Sequence, residues 1–305
     1  MTYRPIYVIP FFLSLIIACE QEVTDKNTNS LQYSRTPSHL QQPVYRLAVH
    51  PLYNPKKLSE AYQPLINHIN HLMPEIKLEL EASRNYQTYE KKFRKSEPAF
   101  LLPNPWQTLQ AMKNRYHVIA MAGNADDFKG IFIVRKDSGI KQPADLKGRV
   151  VSYPSHTALA AAIMPQYFLH NNGIDIKQDI ENRYVGSQES SIMNVYLKKS
   201  AAGATWPPPW RLFKKDFPEE AAQLELIWQT PPLLNNSVMV RDDVPLSIQT
   251  KVAKILTELG NTAETRVILD NMETVRFHAA DDASYDRVRD YIKRFEKDVR
   301  PVESK

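Results

Sequence analysis

An alternation of strand and helix patterns starts near Val44 and runs almost to the end of the 305-residue chain. The stretch "VYRLAVHPLY" alternates apolar and polar residues and ends in a proline turn, as a strand that feeds a loop does. "PKKLSEAYQPLINHINHLM" then has a helical apolar period, and "KLELEAS" alternates again. Strand, helix and strand at this length indicate a βαβ unit and therefore an α/β protein. The apolar positions of the helix are Leu58, Ala61, Leu65, Ile69 and Leu72.

The alternation continues, which predicts helices on both faces of mostly parallel sheets. About 260 folded residues exceed the usual size of a single core, so two lobes are expected. Pro207 to Pro209, between Trp206 and Trp210, are predicted to stiffen a loop. Further strands are predicted at "PAFLL", "YHVIAMAG", "GIFIVRK", "VVSYP", "NRYVG", "AGAT", "LELIWQT" and "SVMVRDD", and further helices at residues 86–95, "WQTLQAMKNR", "ALAAAIMPQYFLHNNG", "SSIMNVYLKKS", "SIQTKVAKILTELG" and "ASYDRVRDYIKRFEKDV".

The N-terminus carries a targeting signal. Arg4 precedes an apolar run from Ile6 to Ala18, which is too short to span a bilayer but is typical of a signal peptide. The run ends in "LSLIIAC", which resembles the lipobox of bacterial lipoproteins and implies that residues 1–18 are removed and Cys19 is lipidated. The alternative is an ordinary secretory signal in which the cysteine occurs by chance. Residues 19–43 are polar and predict a flexible tether.

Charge and motifs exclude two classes of function. The net charge is only +5 and no run of Lys or Arg is longer than a pair, so nucleic-acid binding is not expected. Ser155 and His156 are adjacent, which does not place a base over a nucleophile, and the sequence has no G-x-S-x-G motif and no cluster with metal-ligand spacing. The chain is therefore expected to be neither an enzyme nor a metal or cofactor protein.

The turn "YPSHTALAAA" lies where a predicted strand ends and a helix begins. Open α/β sheets bind ligands at such junctions, because the first amides of a helix lack internal partners and the helix dipole is positive there. The hydroxyls of Ser155 and Thr157, with the amides of residues 156–159, form a predicted cradle for a tetrahedral oxyanion. The alternative is that one hydroxyl merely caps the helix. His156 either adds a charge-assisted hydrogen bond to the anion or points away.

A second junction, "YVGSQESSIMNVYL", repeats this chemistry. Ser187 and Ser190 have the pattern of helix caps, and Gln188 is predicted to offer an amide donor to a ligand. The alternative is capping alone, with Glu189 solvated.

In order along the chain, "RKDSGIKQPADLKGRVVSYPSHTA", "YVGSQESSIMNVYL", "PPLLNNSVMVRDDVP" and "FHAADDASYDRVRDYI" resemble the phosphate/phosphite/phosphonate-binding periplasmic proteins of ABC transporters. The resemblance runs from about Val44 to Val299. It implies a type 2 periplasmic-binding fold with the ligand in a cleft between two lobes. The implied lobes are residues 44–130 with 236–305, and residues 131–235. The implied crossings lie near Ile131–Val134 and Leu233–Val238.

The resemblance also implies the ligand-binding residues. Tyr53 lies in the loop after the first strand, and Trp106 follows the turn where the family has an aromatic. The remaining implied positions lie at three strand ends of the second lobe, and they are Ser155, His156, Thr157, Gln188, Thr205 and Trp206. Acidic residues of the family are replaced around "EPAFLLPNPW" and "SAAGAT", which argues against an aminoalkylphosphonate.

The implied function is capture of a phosphonate, phosphite, phosphate or related oxyanion for an ABC permease in the inner membrane. The protein is expected to be a monomer in the periplasm or at the cell surface, anchored to a bacterial membrane through Cys19. The alternative is a lipoprotein of the same fold that senses a ligand and signals to a membrane kinase or receptor.

Overall fold

A computed structural model describes residues 42–303 of the chain. The predicted signal peptide, Cys19 and all but the last residues of the predicted tether lie outside the described residues. Between residues 42 and 303, no helix has both the length and the apolar character needed to cross a membrane.

Strands and helices alternate along the described residues, as the sequence predicts. The strands are β1 (Val44–Val49), β2 (Lys77–Glu81), β3 (Phe100–Leu102), β4 (Tyr116–Ala122), β5 (Ile131–Arg135), β6 (Arg149–Tyr153), β7 (Ile180–Tyr184), β8 (Ala202–Thr205), β9 (Leu224–Gln229), β10 (Ser237–Arg241) and β11 (Phe277–His278). The α-helices are α1 (Pro55–Leu72), α2 (Tyr86–Arg94), α3 (Pro105–Met112), α4 (Met164–Asn171), α5 (Gln188–Tyr196), α6 (Pro207–Asp216), α7 (Pro218–Ala221), α8 (Leu246–Glu258), α9 (Ala263–Asn271) and α10 (Asp286–Asp298).

Helix α1 illustrates how local sequence sets an element. The side chain of Asn54 accepts a hydrogen bond from the Lys57 amide at 3.1 Å, and Pro55 follows at the first helical position, where its missing N–H costs nothing. Of the five predicted apolar positions, four are buried, and Leu72 at the last turn is exposed. The helical period therefore identifies the buried face up to the point where the helix leaves the sheet.

The strands form two sheets. Each sheet contains one strand, β10 in the first and β5 in the second, that the chain enters directly from the other sheet. The first sheet has the order β11-β4-β10-β3-β1-β2, and the second has the order β7-β6-β8-β5-β9. We call the regions around them the first and second lobes. The chain leaves the first sheet after β4 to form β5, and it returns after β9 to form β10 between β3 and β4. Strand β1 lies between β2 and β3, and β6 lies between β7 and β8, which creates a topological switch point at the carboxyl ends of β1 and β6.

The predicted α/β class is confirmed, but the sheets are mixed rather than mostly parallel. Among the described residues, the ladders of β1, β6 and their neighbours β2, β3, β7 and β8 are parallel. The ladders that involve the crossing strands β5 and β10 are antiparallel, as is that of β11 with β4. A strand that enters from the opposite lobe runs against the direction set by βαβ units.

The expectation of a stiffened loop between Trp206 and Trp210 is wrong, because Pro207–Pro209 form the first turn of α6. The first amides of a helix have no internal partner, so three prolines there lose no hydrogen bond. Pro165 likewise lies in the first turn of α4, directly after a π-helical turn at Leu159–Ile163. Helix α9 has no counterpart among the helices predicted from the sequence.

Candidate functional site

The turn that follows β6 carries two buried hydroxyls. Ser155 is 9% exposed and Thr157 is 1% exposed, and their hydroxyl oxygens are 3.1 Å apart. The helix begins after Ala158 without a side-chain cap, so neither hydroxyl is used to cap it. In the described part of the chain, no hydrogen-bond acceptor is found for the amides of residues 159–161. Hydroxyls and open amides thus share one helix N-terminus, which suits an oxyanion.

A carboxylate of the first lobe lies against this turn. Thr157 Oγ1 donates to Glu90 Oε1 at 2.6 Å, and Gln107 Nε2 donates to the same oxygen at 3.1 Å. Asn104, the cap of α3, donates from Nδ2 to the Thr157 carbonyl at 3.2 Å. The two lobes are therefore joined at the turn by hydrogen bonds from α2 and α3.

The pKa of Glu90 is raised above its ordinary value because burial disfavours the charged form. The hydrogen bonds from Thr157 and Gln107 act in the opposite direction, since they stabilise the carboxylate. Glu90 makes no ion pair with any described residue, and it lies beside an anion-suited turn. Any anion bound at the turn must therefore lie beside this acid.

Gln188 and Thr205 belong to a second interlobe chain of hydrogen bonds. Thr205 Oγ1 donates to Gln188 Oε1 at 2.9 Å, and Gln188 Nε2 donates to the Tyr86 hydroxyl at 3.2 Å. Tyr86 lies on α2, one turn before Glu90, so one helix of the first lobe contacts both junctions of the second lobe. All three side chains are buried.

His50 packs against the aromatic rings of α2. Its ring centroid lies 6.1 Å from that of Tyr86 and 6.4 Å from that of Tyr89. Nδ1 is 2.9 Å from the Leu102 carbonyl, which can only accept, so Nδ1 carries the hydrogen. Burial lowers the pKa of His50 to about 4, which keeps the imidazole neutral near pH 7.

The start of α5 has the predicted cap. Ser187 Oγ accepts from the Ser190 amide at 3.1 Å and donates to the Ser190 hydroxyl at 2.8 Å. Helix α5 also packs very closely on β8, because a Cβ on Gly203 would lie 2.5 Å from the Ser191 carbonyl oxygen. This close approach places Gln188 next to Thr205.

An open cavity of about 670 Å³ extends outward from the turn. Its walls include Ser155, His156 and Thr157 on one side and residues of α2 on the other. His156 is exposed and its ring packs edge-on against Tyr184, with centroids 5.9 Å apart. Partial burial and the neighbouring Arg300 lower the pKa of His156. The imidazole therefore lines the cavity as a neutral group near pH 7.

Tyr53 and Trp206 lie together elsewhere in the cleft. Both line a cavity of about 20 Å³, room for about one water molecule, at which Asn236 Oδ1 is buried without a partner among the described residues. Trp206 packs against Phe128, with ring centroids 5.5 Å apart. Trp106 lines neither cavity and is 1% exposed. The eight residues named from the sequence thus fall into three groups and one core tryptophan.

Two sets of ion pairs also bridge the lobes. Lys57 Nζ, at the start of α1, lies 3.0 Å from Glu189 Oε2 and 2.6 Å from Asp216 Oδ2 of the second lobe. Arg211 of α6 pairs with Asp127 at 3.2 Å and with Glu273 at 2.9 Å. These partly exposed contacts lie away from the turn and link the two lobes.

The residues of α2 that face the turn were not predicted from the sequence. Four residues of α2, Tyr86, Tyr89, Glu90 and Phe93, recur at helical spacing, and all are buried. A single acid within an otherwise aromatic stripe is the signal that could have identified Glu90. In residues 42–303, no three His, Asp or Glu side chains are grouped so as to hold a metal ion.

Comparison with known proteins gives a consistent result. A family model described as the periplasmic substrate-binding protein of phosphonate ABC transporters matches residues 47–285. The chain is 25% identical over 193 residues to PhnD1 of Prochlorococcus marinus, a probable ABC transporter phosphite binding protein. That alignment covers 59% of this chain and 65% of the relative, so it spans less than two thirds of the relative's length.

Solved structures share the fold. A binding protein component of a phosphonate ABC transporter from Pseudomonas aeruginosa has a TM-score of 0.76 at 17% identity, and the match covers 84% of this chain and 87% of that one. The structure of PhnD1 from Prochlorococcus marinus in complex with methylphosphonate has a TM-score of 0.77 at 20% identity, covering 84% and 99%. The two-lobed periplasmic-binding fold expected from the sequence is confirmed.

Proposed function

Because the chain belongs to the family of phosphonate ABC-transporter periplasmic substrate-binding proteins, we propose that it captures a phosphonate, phosphite or related oxyanion for an ABC importer. The observation that carries this proposal is the turn after β6. There, the buried Ser155 and Thr157 hydroxyls and the open amides of residues 159–161 converge. A ligand oxyanion would accept hydrogen bonds from the Ser155 hydroxyl and these amides, beside the Thr157 hydroxyl that donates to Glu90. Gln188 is the second donor that we assign to the site.

We further propose that ligand capture closes the two lobes. The proposed lobes are residues 44–130 with 236–305, and residues 131–235, with hinges where the chain crosses between the sheets. The contacts of Lys57 and Arg211 support a closed form, because each bridges elements of different lobes. The closed surface is what a membrane permease would recognise. The binding protein itself is proposed to be monomeric and to perform no chemistry.

Anchoring through an acylated Cys19 is also proposed, from the lipobox-like "LSLIIAC". Metabolic labelling with a radioactive fatty acid tests it. We expect label in the wild-type protein and none in Cys19→Ser. Label in both proteins, or in neither, would contradict the proposal. No observation in the described residues or in the comparisons favours the sensing alternative, so it is not proposed.

A thermal-shift experiment on the full chain in detergent tests the ligand class. The panel contains phosphite, methylphosphonate, phosphate and sulfate. An anion at about one hundred times its Kd is expected to raise Tm by about 5–10 °C. Changing Ser155 and Thr157 to Ala should abolish the shift, whereas Thr257→Ala on α8 should keep it, since its hydroxyl contacts only its own helix. A shift that survives the double change would contradict the assigned turn.

A further inference from the structure

A buried carboxylate in an anion-binding turn needs a physical explanation. Glu90 is 9% exposed, and its Oε1 accepts hydrogen bonds from Thr157 at 2.6 Å and Gln107 at 3.1 Å. An oxyanion that accepts from the neighbouring Ser155 hydroxyl, whose oxygen is 3.1 Å from that of Thr157, would lie within a few ångströms of this carboxylate. Like charges at that separation in a buried site cannot both remain fully ionised.

No cation near Glu90 is free to offset the repulsion between its carboxylate and a bound oxyanion in the described part of the chain. On its own helix, Arg94 lowers the pKa of Glu90, but Arg94 forms an ion pair with Glu303 of the C-terminal segment, which raises that pKa. The second lobe contributes the hydroxyls of Ser155 and Thr157 and the exposed His156, whose pKa is lowered by partial burial and by Arg300. Helix α3 contributes the amides of Asn104 and Gln107, and the other titratable groups packed nearby are the phenols of Tyr86 and Tyr89 and the neutral His50. Arg300 lies behind the turn and donates to the His156 carbonyl at 2.9 Å.

A proton shared between ligand and carboxylate removes the repulsion. We propose that Glu90 makes the site select oxyanions that carry an ionisable hydrogen, by accepting a hydrogen bond from the ligand P–OH group. The unprotonated ligand oxygens then accept from the Ser155 hydroxyl and the open amides, while Thr157 keeps donating its single hydroxyl hydrogen to Glu90. This inference rests on the proposed function, since it assumes that the ligand occupies the turn after β6.

The selection applies to ligands of equal shape and charge. Methylphosphonate monoanion and methanesulfonate are both tetrahedral, both carry one methyl group, and both have a single negative charge, but only the former has a hydrogen to donate. For methanesulfonate, Glu90 must first take up a proton from solution. The free-energy cost of that proton uptake increases with pH, even though the pKa of Glu90 is raised. The affinity for methanesulfonate should therefore fall as pH increases, while methylphosphonate remains the preferred ligand.

Isothermal titration of the full chain with these two probes tests the proposal. At about pH 5.5, below the second pKa near 6 of a phosphate-type group, methylphosphonate should bind about tenfold or more tightly than methanesulfonate. The Kd of methanesulfonate should rise about tenfold per pH unit once Glu90 is ionised, because one proton is taken up. A flat methanesulfonate profile in the wild-type protein would overturn the proposal without any variant.

Glu90→Gln removes the charge and keeps the shape. It should strengthen methanesulfonate binding, bring the ratio of the two affinities to near one and abolish the pH dependence. Glu303→Gln is the matched control, because Glu303 lines the same cavity but is ion-paired with Arg94. If methylphosphonate binds and Glu90→Gln preserves the ratio, the role of Glu90 is wrong and the proposed function stands. If neither anion binds the wild-type protein, the proposed function fails, and this inference fails with it.

Discussion

Thr157 and Glu90 join the two lobes through one short hydrogen bond, in which the Thr157 hydroxyl donates to a carboxylate oxygen 2.6 Å away. The residues lie 67 positions apart in the chain, one after β6 and the other on α2. Hydrogen bonds to a charged acceptor are roughly twice as strong as neutral ones. This contact therefore couples the state of the anion-binding turn to the packing of the first lobe.

A double-mutant cycle measures that coupling. Thr157→Val should lower the free energy of unfolding by about 1 kcal/mol more in the wild-type background than in Glu90→Gln, because only the former loses a charge-assisted bond. Urea denaturation provides the measurement. Thr257→Val, whose hydroxyl bonds only within α8, should be additive with Glu90→Gln. If the effects of Thr157→Val and Glu90→Gln on the free energy of unfolding simply add, the hydrogen bond between the two residues contributes no coupling energy.

His50 gives the cleft a dependence on acid. Its pKa is about 4 in the folded protein and about 6.5 in the unfolded chain, so the unfolded state binds more protons between those values. Stability should therefore fall as pH decreases from about 6.5 to about 4, by about 3 kcal/mol from this residue.

The measurement is urea denaturation across that range. His50→Gln should flatten the profile, whereas His170→Gln, an exposed residue at the end of α4, should leave it unchanged. Identical slopes in the wild-type protein and in His50→Gln would show that the imidazole is protonated without cost.

Lys57 is expected to slow the opening of the cleft. Lys57→Met removes its contacts with Glu189 and Asp216, so the dissociation rate of methylphosphonate should rise about three- to tenfold with little change in association. Stopped-flow kinetics provides both rates. Lys56→Met is the neighbouring control, because Lys56 is exposed and pairs only with Glu60 of the same helix at 3.8 Å. Equal dissociation rates in the two variants would exclude a latch at Lys57.

Trp106 should matter for folding rather than for ligand affinity. Trp106→Ala removes a fully buried indole and should lower the free energy of unfolding by about 3–5 kcal/mol. Trp106→Phe retains more of the packing, and we expect its Kd for methylphosphonate to stay within about twofold of wild type. A tenfold loss of affinity in a well-folded Trp106→Phe protein would restore the ligand contact that the sequence predicts.

Local features of the fold could be predicted because they depend on nearby residues. The buried face of α1 follows from helical spacing, and the cap at Ser187 follows from the serine pattern before α5. The prediction of a loop at "WPPPW" is wrong because proline breaks a helix in its interior but is favourable in its first turn.

The site could be predicted only in part. The local sequence places three of the predicted residues, Ser155, Thr157 and Gln188, at strand ends, where α/β proteins bind ligands. Their contacts with Glu90, Asn104 and Tyr86 depend instead on how one lobe meets the other. The orientation of one lobe relative to the other cannot be read from a single sequence. The aromatic residues around Glu90 on α2 do indicate that this acid is buried.

The insertion of β10 between β3 and β4 means that synthesis and assembly follow different orders. A nascent chain that ends before Ser237 contains β1 to β4, yet β4 has no strand through which to join the others. Unpaired edges of β3 and β4 then remain exposed until the ribosome has added residues 237–241. A premature stop anywhere before Arg241 therefore disrupts the N-terminal half of the molecule as well as the missing tail.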